Sequence, residues 1–227
     1  MSNGITYVTD NLSLDKTLAA GLFSQKAFPH GILSEIRFFI TSLGSSLSAE
    51  RFERYSEDIW IAKSATIDSS AKIIGPCIID ERAEIRHSAF IRGSAIIGKE
   101  AVIGNSTEVK NALIFDGAHI PHFNYVGDSI LGYRAHLGAG AITSNVKSDK
   151  SRVFVDYGNG RLDSGLYKLG AILGDGVEVG CNSVLNPGTV ICRYSTVYPL
   201  SSVRGYLPTQ VIYKGDSVTV PKKTTVR

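Results

Sequence analysis

The chain has 227 residues, 43% of them hydrophobic and 9% aromatic, which is enough apolar mass for packed domains and excludes a disordered polymer. Its 24 lysines and arginines against 21 acidic residues leave a net charge of +3 with no basic run, so neither a nucleic-acid surface nor electrostatic membrane attachment is expected. Three cysteines, Cys77, Cys181 and Cys192, form neither an even disulfide set nor a CxxC pair. The apolar stretches are too short to span a bilayer, and no signal-peptide pattern opens the chain, so a cytoplasmic location is expected.

Residues 1–57 carry Leu14, Leu18 and Leu22, then Ile32, Ile36, Phe39, Ile40 and Leu43, at helical spacing, with Pro29-His30-Gly31 breaking the two runs. The pattern predicts a small helical cap over the open end of the repeat that follows.

From residue 58 to about 215 the period is six. Aliphatic residues fall at Ile61, Ile67, Ile73, Ile79, Ile85, Ile91, Ile97, Ile103 and Val109, and the register returns at Leu173, Val179, Leu185, Ile191, Val197 and Val203. Two places before most of them sits a small side chain, as at Ala65, Ala71, Cys77, Ala83, Ala89, Ala95 and Ala101. Both series are expected to point inward. Such a period fits short β segments joined by tight turns, three to a coil of 18 residues. Gly98, Gly104, Gly127, Gly132, Gly138, Gly174 and Gly180 directly follow the aliphatic position, where a corner with free φ is expected. The pattern resembles the hexapeptide-repeat family. That resemblance implies an all-β, left-handed parallel β-helix, a three-sided solenoid, assembled as a homotrimer.

A separation of 18 residues is then a stacking relation. Arg92 and Lys110 each follow an aliphatic residue and are expected one above the other, about 5 Å apart at the backbone. Two stacked cations grip a phosphate or splay into solvent. Residues 121–150, PHFNYVGDSILGYRAHLGAGAITSNVKSDK, are dense in polar side chains. His122 follows Ile120 by two and is expected to project outward, where an imidazole serves as a general base.

From IRGSAIIG through GNSTEVKNA and PHFNYVGD to LGAGAIT, the stretch Phe90–Gly140 is similar to the acetyltransferase half of the bifunctional glucosamine-1-phosphate acetyltransferase and N-acetylglucosamine-1-phosphate uridyltransferase. The resemblance implies an acetyl-CoA-dependent N-acyltransferase acting on an amino sugar phosphate or nucleotide-linked amino sugar, with no metal. It places Arg92 and Lys110 on the sugar-linked phosphate, His122 as base, Glu108 as the acid orienting it, and the Ala139 N–H as oxyanion donor. It also places Tyr125, His136, Asn145 and Lys150 near substrate, and Asn145, Ala139, Cys181 and Pro199 near the acyl donor. His136 stands where that family has asparagine, and Cys181 and Pro199 stand where it has small residues. Residues 149–170 interrupt the repeat, either as a lid, as a block, or as a contact loop through Lys150, Arg152, Tyr157 and Arg161. Residues 216–227 are expected as a C-terminal tail. No Gly-rich nucleotide loop marks residues 1–57, so no pyrophosphorylase domain is expected there. Two other readings are a non-catalytic sugar-phosphate module and a zinc lyase using His87, His119 and His122.

Overall fold

The computed structural model describes residues 3–24, 26 and 28–223, and from Ile59 onward it is a left-handed parallel β-helix with three faces. Face one stacks Ile59–Ala62, Cys77–Ile79, Ala95–Ile97 and the ends of Glu108–Ile114 and Tyr125–Leu131, then Ala171–Leu173, Thr189–Ile191 and Tyr206–Leu207. Face two runs from Thr66–Ile67 through Glu84–Ile85, Val102–Asn105, His119–His122 and His136–Leu137 to Glu178–Val179, Thr196–Val197 and Val211–Tyr213. Face three holds Lys72–Ile74, Phe90–Arg92, the first residues of Glu108–Ile114 and Tyr125–Leu131, then Ile142–Thr143, Val184–Leu185 and Ser202–Val203.

Both expected inward series line the interior. Ile79, Ile91, Ile97 and Ile103, with Cys77, Ala83, Ala95 and Ala101, have essentially no exposed surface. Each buried isoleucine contributes about 1.5–3 kcal/mol by leaving water, and the small residues let the three walls close.

The glycines after the aliphatic positions have a different cause from the expected one. Gly98 and Gly174 do not adopt positive φ, but a Cβ on either would lie 2.6 Å from a backbone nitrogen of the next coil, at Asp116 and Arg193. Close lateral approach therefore excludes a side chain. The left-handed conformation falls two residues later, on Glu100 and its equivalents Arg82, Ser88, Ser106 and Arg134.

The N-terminal segment is helical in pieces, with helices at Asn3–Asn11, Ala20–Phe23 and Ile36–Gly44 and 3-10 turns at Leu14–Lys16 and Pro29–Ile32. Only Phe52–Ser56, pairing antiparallel with Ile59–Ala62, edges the open end of the first coil, and the helices do not. The helical part lies lengthwise on face one, where the middle residue of each strand points out and is apolar: Trp60, Ile78, Ile96, Leu113, Ile130, Ile172 and Val190. That outward column needs a partner, and Ile32, Ile36 and Ile40 supply it, all fully buried. Asn11 and Ser13 pin the segment further along. The Asn11 carbonyl accepts the Asp175 N–H at 2.9 Å, and Ser13 Oγ donates to Asp175 Oδ2 at 2.6 Å.

The tail also differs from expectation. Thr219–Pro221 turns back antiparallel to Val211–Tyr213 and closes that end of face two, while residues 224–227 lie outside the described part. No helix among the described residues is long and apolar enough to cross a membrane.

Candidate functional site

Phe90 and Ile91 pair with Glu108 and Val109, and Lys110 pairs with Gly127, so Arg92 and Lys110 are successive rungs of one outward column on face three. Beside it runs a second outward column, Phe90, Glu108, Tyr125 and Ile142, on the side toward the corner with face two. The repeat tightens here. Inward residues Val109 to Ile114 and Val126 to Leu131 are five apart where Ile91 to Ile97 are six, so the corner between faces three and one loses a residue in each coil. The shortened corners fall on Asn111 and Asp128, at φ 46° and 49°. Asn and Asp tolerate that region better than other side chains with a Cβ.

That geometry aims a polar network outward beside the cations. Asp128 is buried and its Oδ1 accepts from Asn111 Nδ2 at 2.8 Å, while Oδ2 receives Lys110 Nζ at 3.4 Å and the Asn145 amide. Asn145 Nδ2 also donates to Tyr125 Oη at 3.2 Å. Burial, with help from Asp128 and Glu108, pushes the Tyr125 phenol up despite the Asn145 bond, so it remains a neutral donor. Arg92 Nη1 donates to Glu108 Oε1 at 2.7 Å. The two cations neither bare their charges to each other nor splay apart: each holds a carboxylate.

At the corner between faces two and three, His122 lies in register with Asn105, and one column continues from it through Ala139 and Cys181 to Pro199. The backbone records this directly: Gly140 N–H donates to His122 O at 3.0 Å, Asn182 N–H to Ala139 O at 2.8 Å and Leu200 N–H to Cys181 O at 2.9 Å. Asn124, 3% exposed, sets this corner by donating to Gly138 O and Ala141 O and accepting the His122 N–H at 3.0 Å. The His122 side chain is exposed, and the half-buried Ala139 N–H has no acceptor among the described residues.

Arg92, Glu108, Lys110, Tyr125 and Asn145 thus come together on one strip, with His122 and Ala139 round its near edge. Glu108 does not reach His122, because Arg92 holds its carboxylate. Asn145 joins the cluster of Asp128 and Tyr125 rather than the column of Ala139, Cys181 and Pro199. His136 is on face two beside His119, and its Nδ1 meets Glu178 Oε2 at 2.8 Å, so it does not share the strip with Arg92 and Lys110. Lys150 is exposed at a turn, its backbone N–H bonded to Lys147 O. His87, His119 and His122 do not converge: His87 Nε2 contacts the Asn105 amide, and among the described residues no three His, Cys, Asp or Glu side chains group as metal ligands. Asn111 escaped the sequence reading, and Asn124 and Asp128 stand in it as polar neighbours of His122 with no role of their own. The five-residue spacings were the available signal for Asn111 and Asp128.

The insertion neither covers nor blocks His122. Phe154–Asp156 and Arg161–Asp163 form an antiparallel hairpin whose Val153, Val155, Tyr157 and Leu169 are buried in the cluster that seats the N-terminal helices on face one. Tyr157 Oη lies 2.7 Å from His30 Nδ1, and the Tyr157 ring packs edge-on against Tyr7 and stacks on Phe28.

Known proteins share this part of the chain. A bifunctional sugar-1-phosphate nucleotidylyltransferase/acetyltransferase of Sulfurisphaera tokodaii is 37% identical over an alignment of 151 residues that covers 59% of this chain and 38% of that protein. The bifunctional protein GlmU of Methanococcus maripaludis is 34% identical over 118 residues, 52% of this chain and 28% of the relative. The match therefore spans well under half of either relative. Among solved structures, the N-acyltransferase AntD of Bacillus cereus, crystallised with dTDP-4-amino-4,6-dideoxyglucose and coenzyme A, aligns with a TM-score of 0.33 and 16% identity over 74% of this chain and 83% of that one. A likeness that loose carries no inference about ligands. The family model described as the GMPPB C-terminal domain matches residues 73–203, which hold the columns of Arg92, Lys110, His122 and Ala139, and the chain belongs to that family.

Proposed function

We propose that the chain is an acyl-CoA-dependent N-acyltransferase, with acetyl-CoA as donor and an amino sugar phosphate or nucleotide-linked amino sugar as acceptor. One observation carries the reading: the stacked cations Arg92 and Lys110 and the exposed His122, with the free Ala139 N–H one coil on, bound the same narrow strip of face three. A phosphorylated sugar lying across the strip sets its phosphate on Arg92 and Lys110 and its amine toward the imidazole.

In this reading His122 accepts a proton from the amine as nitrogen attacks the thioester carbonyl, and the new C–N bond forms as the C=O π pair moves onto oxygen. The Ala139 N–H donates to that oxyanion. Collapse breaks the C–S bond, and the imidazolium returns its proton to the departing coenzyme A thiolate. A phosphate arriving at Arg92 competes with Glu108 for the guanidinium, and the released carboxylate is then free to orient His122. Tyr125 supplies a neutral hydroxyl to the sugar. The donor lies along Ala139, Cys181 and Pro199.

We also propose a homotrimer. The N-terminal helices cover face one, which leaves faces two and three to meet neighbouring copies and gives exposed Phe123, Tyr198 and Leu200, near the His122 corner, something to pack against.

A non-catalytic sugar-phosphate module is the second reading, favoured by the engagement of Glu108 with Arg92 instead of His122. Thiol release from acetyl-CoA across a panel of amino sugar phosphates separates them. Turnover supports the transferase; phosphosugar binding without thiol release from any acceptor supports the module.

A further inference from the structure

The inserted hairpin builds a second cationic recess. The outward column of Arg92 and Lys110 continues in the same register through Gly127, Ser144 and Asn186 to Arg204, four coils or about 19 Å further along the axis. There the hairpin leans against the solenoid and encloses a cleft of about 310 Å³, lined by Lys147, Phe154, Asp156, Arg161 and Arg204 among others. Lys147 holds Asp149 at 3.2 Å, so it is the two arginines that face Asp156, whose Oδ1 already accepts the Gly158 N–H at 2.7 Å.

The two arginines here hold no carboxylate, as is also true of Arg37, Arg54 and Arg134 among the described residues. Arg51, Arg82, Arg86, Arg92, Arg152 and Arg193 each hold a carboxylate. Arg161 stands opposite Asp156 across the hairpin, yet its guanidinium lies over the Phe154 ring, 4.5 Å from the centroid, and forms no ion pair. Arg204 forms none either, its Nη2 donating to Asn186 Oδ1 at 3.1 Å. Phe154 is 40% exposed. The cleft therefore offers a stacking platform of guanidinium on phenyl, with a guanidinium that holds no carboxylate and a lysine paired to the exposed Asp149 beside it.

We propose that this cleft binds a nucleoside phosphate, its base stacked on the Arg161–Phe154 pair and its phosphate held by Arg204, with Lys147 exchanging the exposed Asp149 for it. The volume sits at the lower end for small-molecule sites and suits a ligand of mononucleotide size. Two sources share this chemistry: the 3′-phosphorylated nucleotide end of an acyl-CoA and the nucleotide of a sugar nucleotide. The proposal stands whether or not the chain transfers an acyl group.

The test is calorimetric titration of the full chain with adenosine 3′,5′-bisphosphate, with UMP and with inorganic phosphate, repeated on Arg161→Ala, Arg161→Lys and Arg204→Ala. At least one nucleotide is expected to bind, about tenfold or more weakly in each alanine variant, with an intermediate loss in Arg161→Lys and unchanged melting temperatures because both side chains are exposed. Competition by acetyl-CoA for the same site assigns it to the acyl donor; nucleotide binding without that competition assigns it to a sugar nucleotide or free nucleotide. The proposal is overturned if neither nucleotide binds at about 1 mM, or if both alanine variants bind as wild type. Inorganic phosphate binding as tightly as either nucleotide would contradict the stacking platform.

Discussion

Glu108 accepts a 2.7 Å hydrogen bond from Arg92 Nη1, so one carboxylate ties the column of Arg92 and Lys110 to the column next to His122. In the proposed reaction the two partners have separable duties. Arg92→Ala is expected to raise KM for a phosphorylated acceptor about tenfold or more and to leave kcat within a few-fold, the signature of lost uniform binding. Glu108→Gln is expected to lower kcat with little change in KM, because it removes the charge that orients the imidazolium. Steady-state kinetics on both variants check this, and matching KM effects would make Glu108 only a partner of Arg92.

The interior assignment is tested at Ile97, which is fully buried at mid-solenoid. Ile97→Asp places an unpaired carboxylate between three walls and is expected to cost at least about 3–4 kcal/mol. Urea or thermal unfolding reads the loss, and an unchanged midpoint would contradict the inward register.

The three thiols are expected to separate in rate. Cys77 is fully buried with its thiol pushed up to about 12 by desolvation, Cys192 is buried and raised for the same cause, and Cys181 is exposed. Since the thiolate is the nucleophile, native protein should label once quickly, at Cys181, and twice slowly. Coenzyme A should protect Cys181 if the donor follows the Ala139 column. Mass spectrometry of labelled peptides identifies the site, and fast labelling of Cys77 would overturn its placement.

His30 is buried against Tyr157, and desolvation lowers it from 6.5 to about 4. The unfolded chain therefore binds a proton between about pH 6.5 and 4 that the folded chain refuses, so stability is full above the window and declines as pH falls through it. The total approaches about 3 kcal/mol. Melting curves of wild type and His30→Phe across this range should converge or cross as pH falls, since the variant lacks the titration. A constant difference would mean that the His30 site does not resist protonation.

The inward register was legible because a buried six-residue period is a strong local signal, and the stack of Arg92 over Lys110 followed from counting. Where the period shortened, at Asn111 and Asp128, counting lost the corner, although those corners position the carboxylate on Lys110. The helical segment was misplaced for another reason. Ile78, Ile96 and Leu113 lie between the inward positions, and nothing in a hexapeptide pattern says that an outward apolar column needs cover until the strands are stacked. Tyr157 was read as a site-loop residue, but its seat against His30, Phe28 and Tyr7 depends on contacts more than a hundred residues apart.

The central claim is tested most directly by thiol release from acetyl-CoA with amino sugar phosphates, comparing wild type with His122→Ala. The account predicts turnover by wild type with at least one acceptor and a loss of about 10²–10⁴ in kcat in the variant, with an unchanged melting temperature because the side chain is exposed. Wild type that binds the phosphosugar yet releases no thiol, or a variant that turns over as wild type, would contradict it.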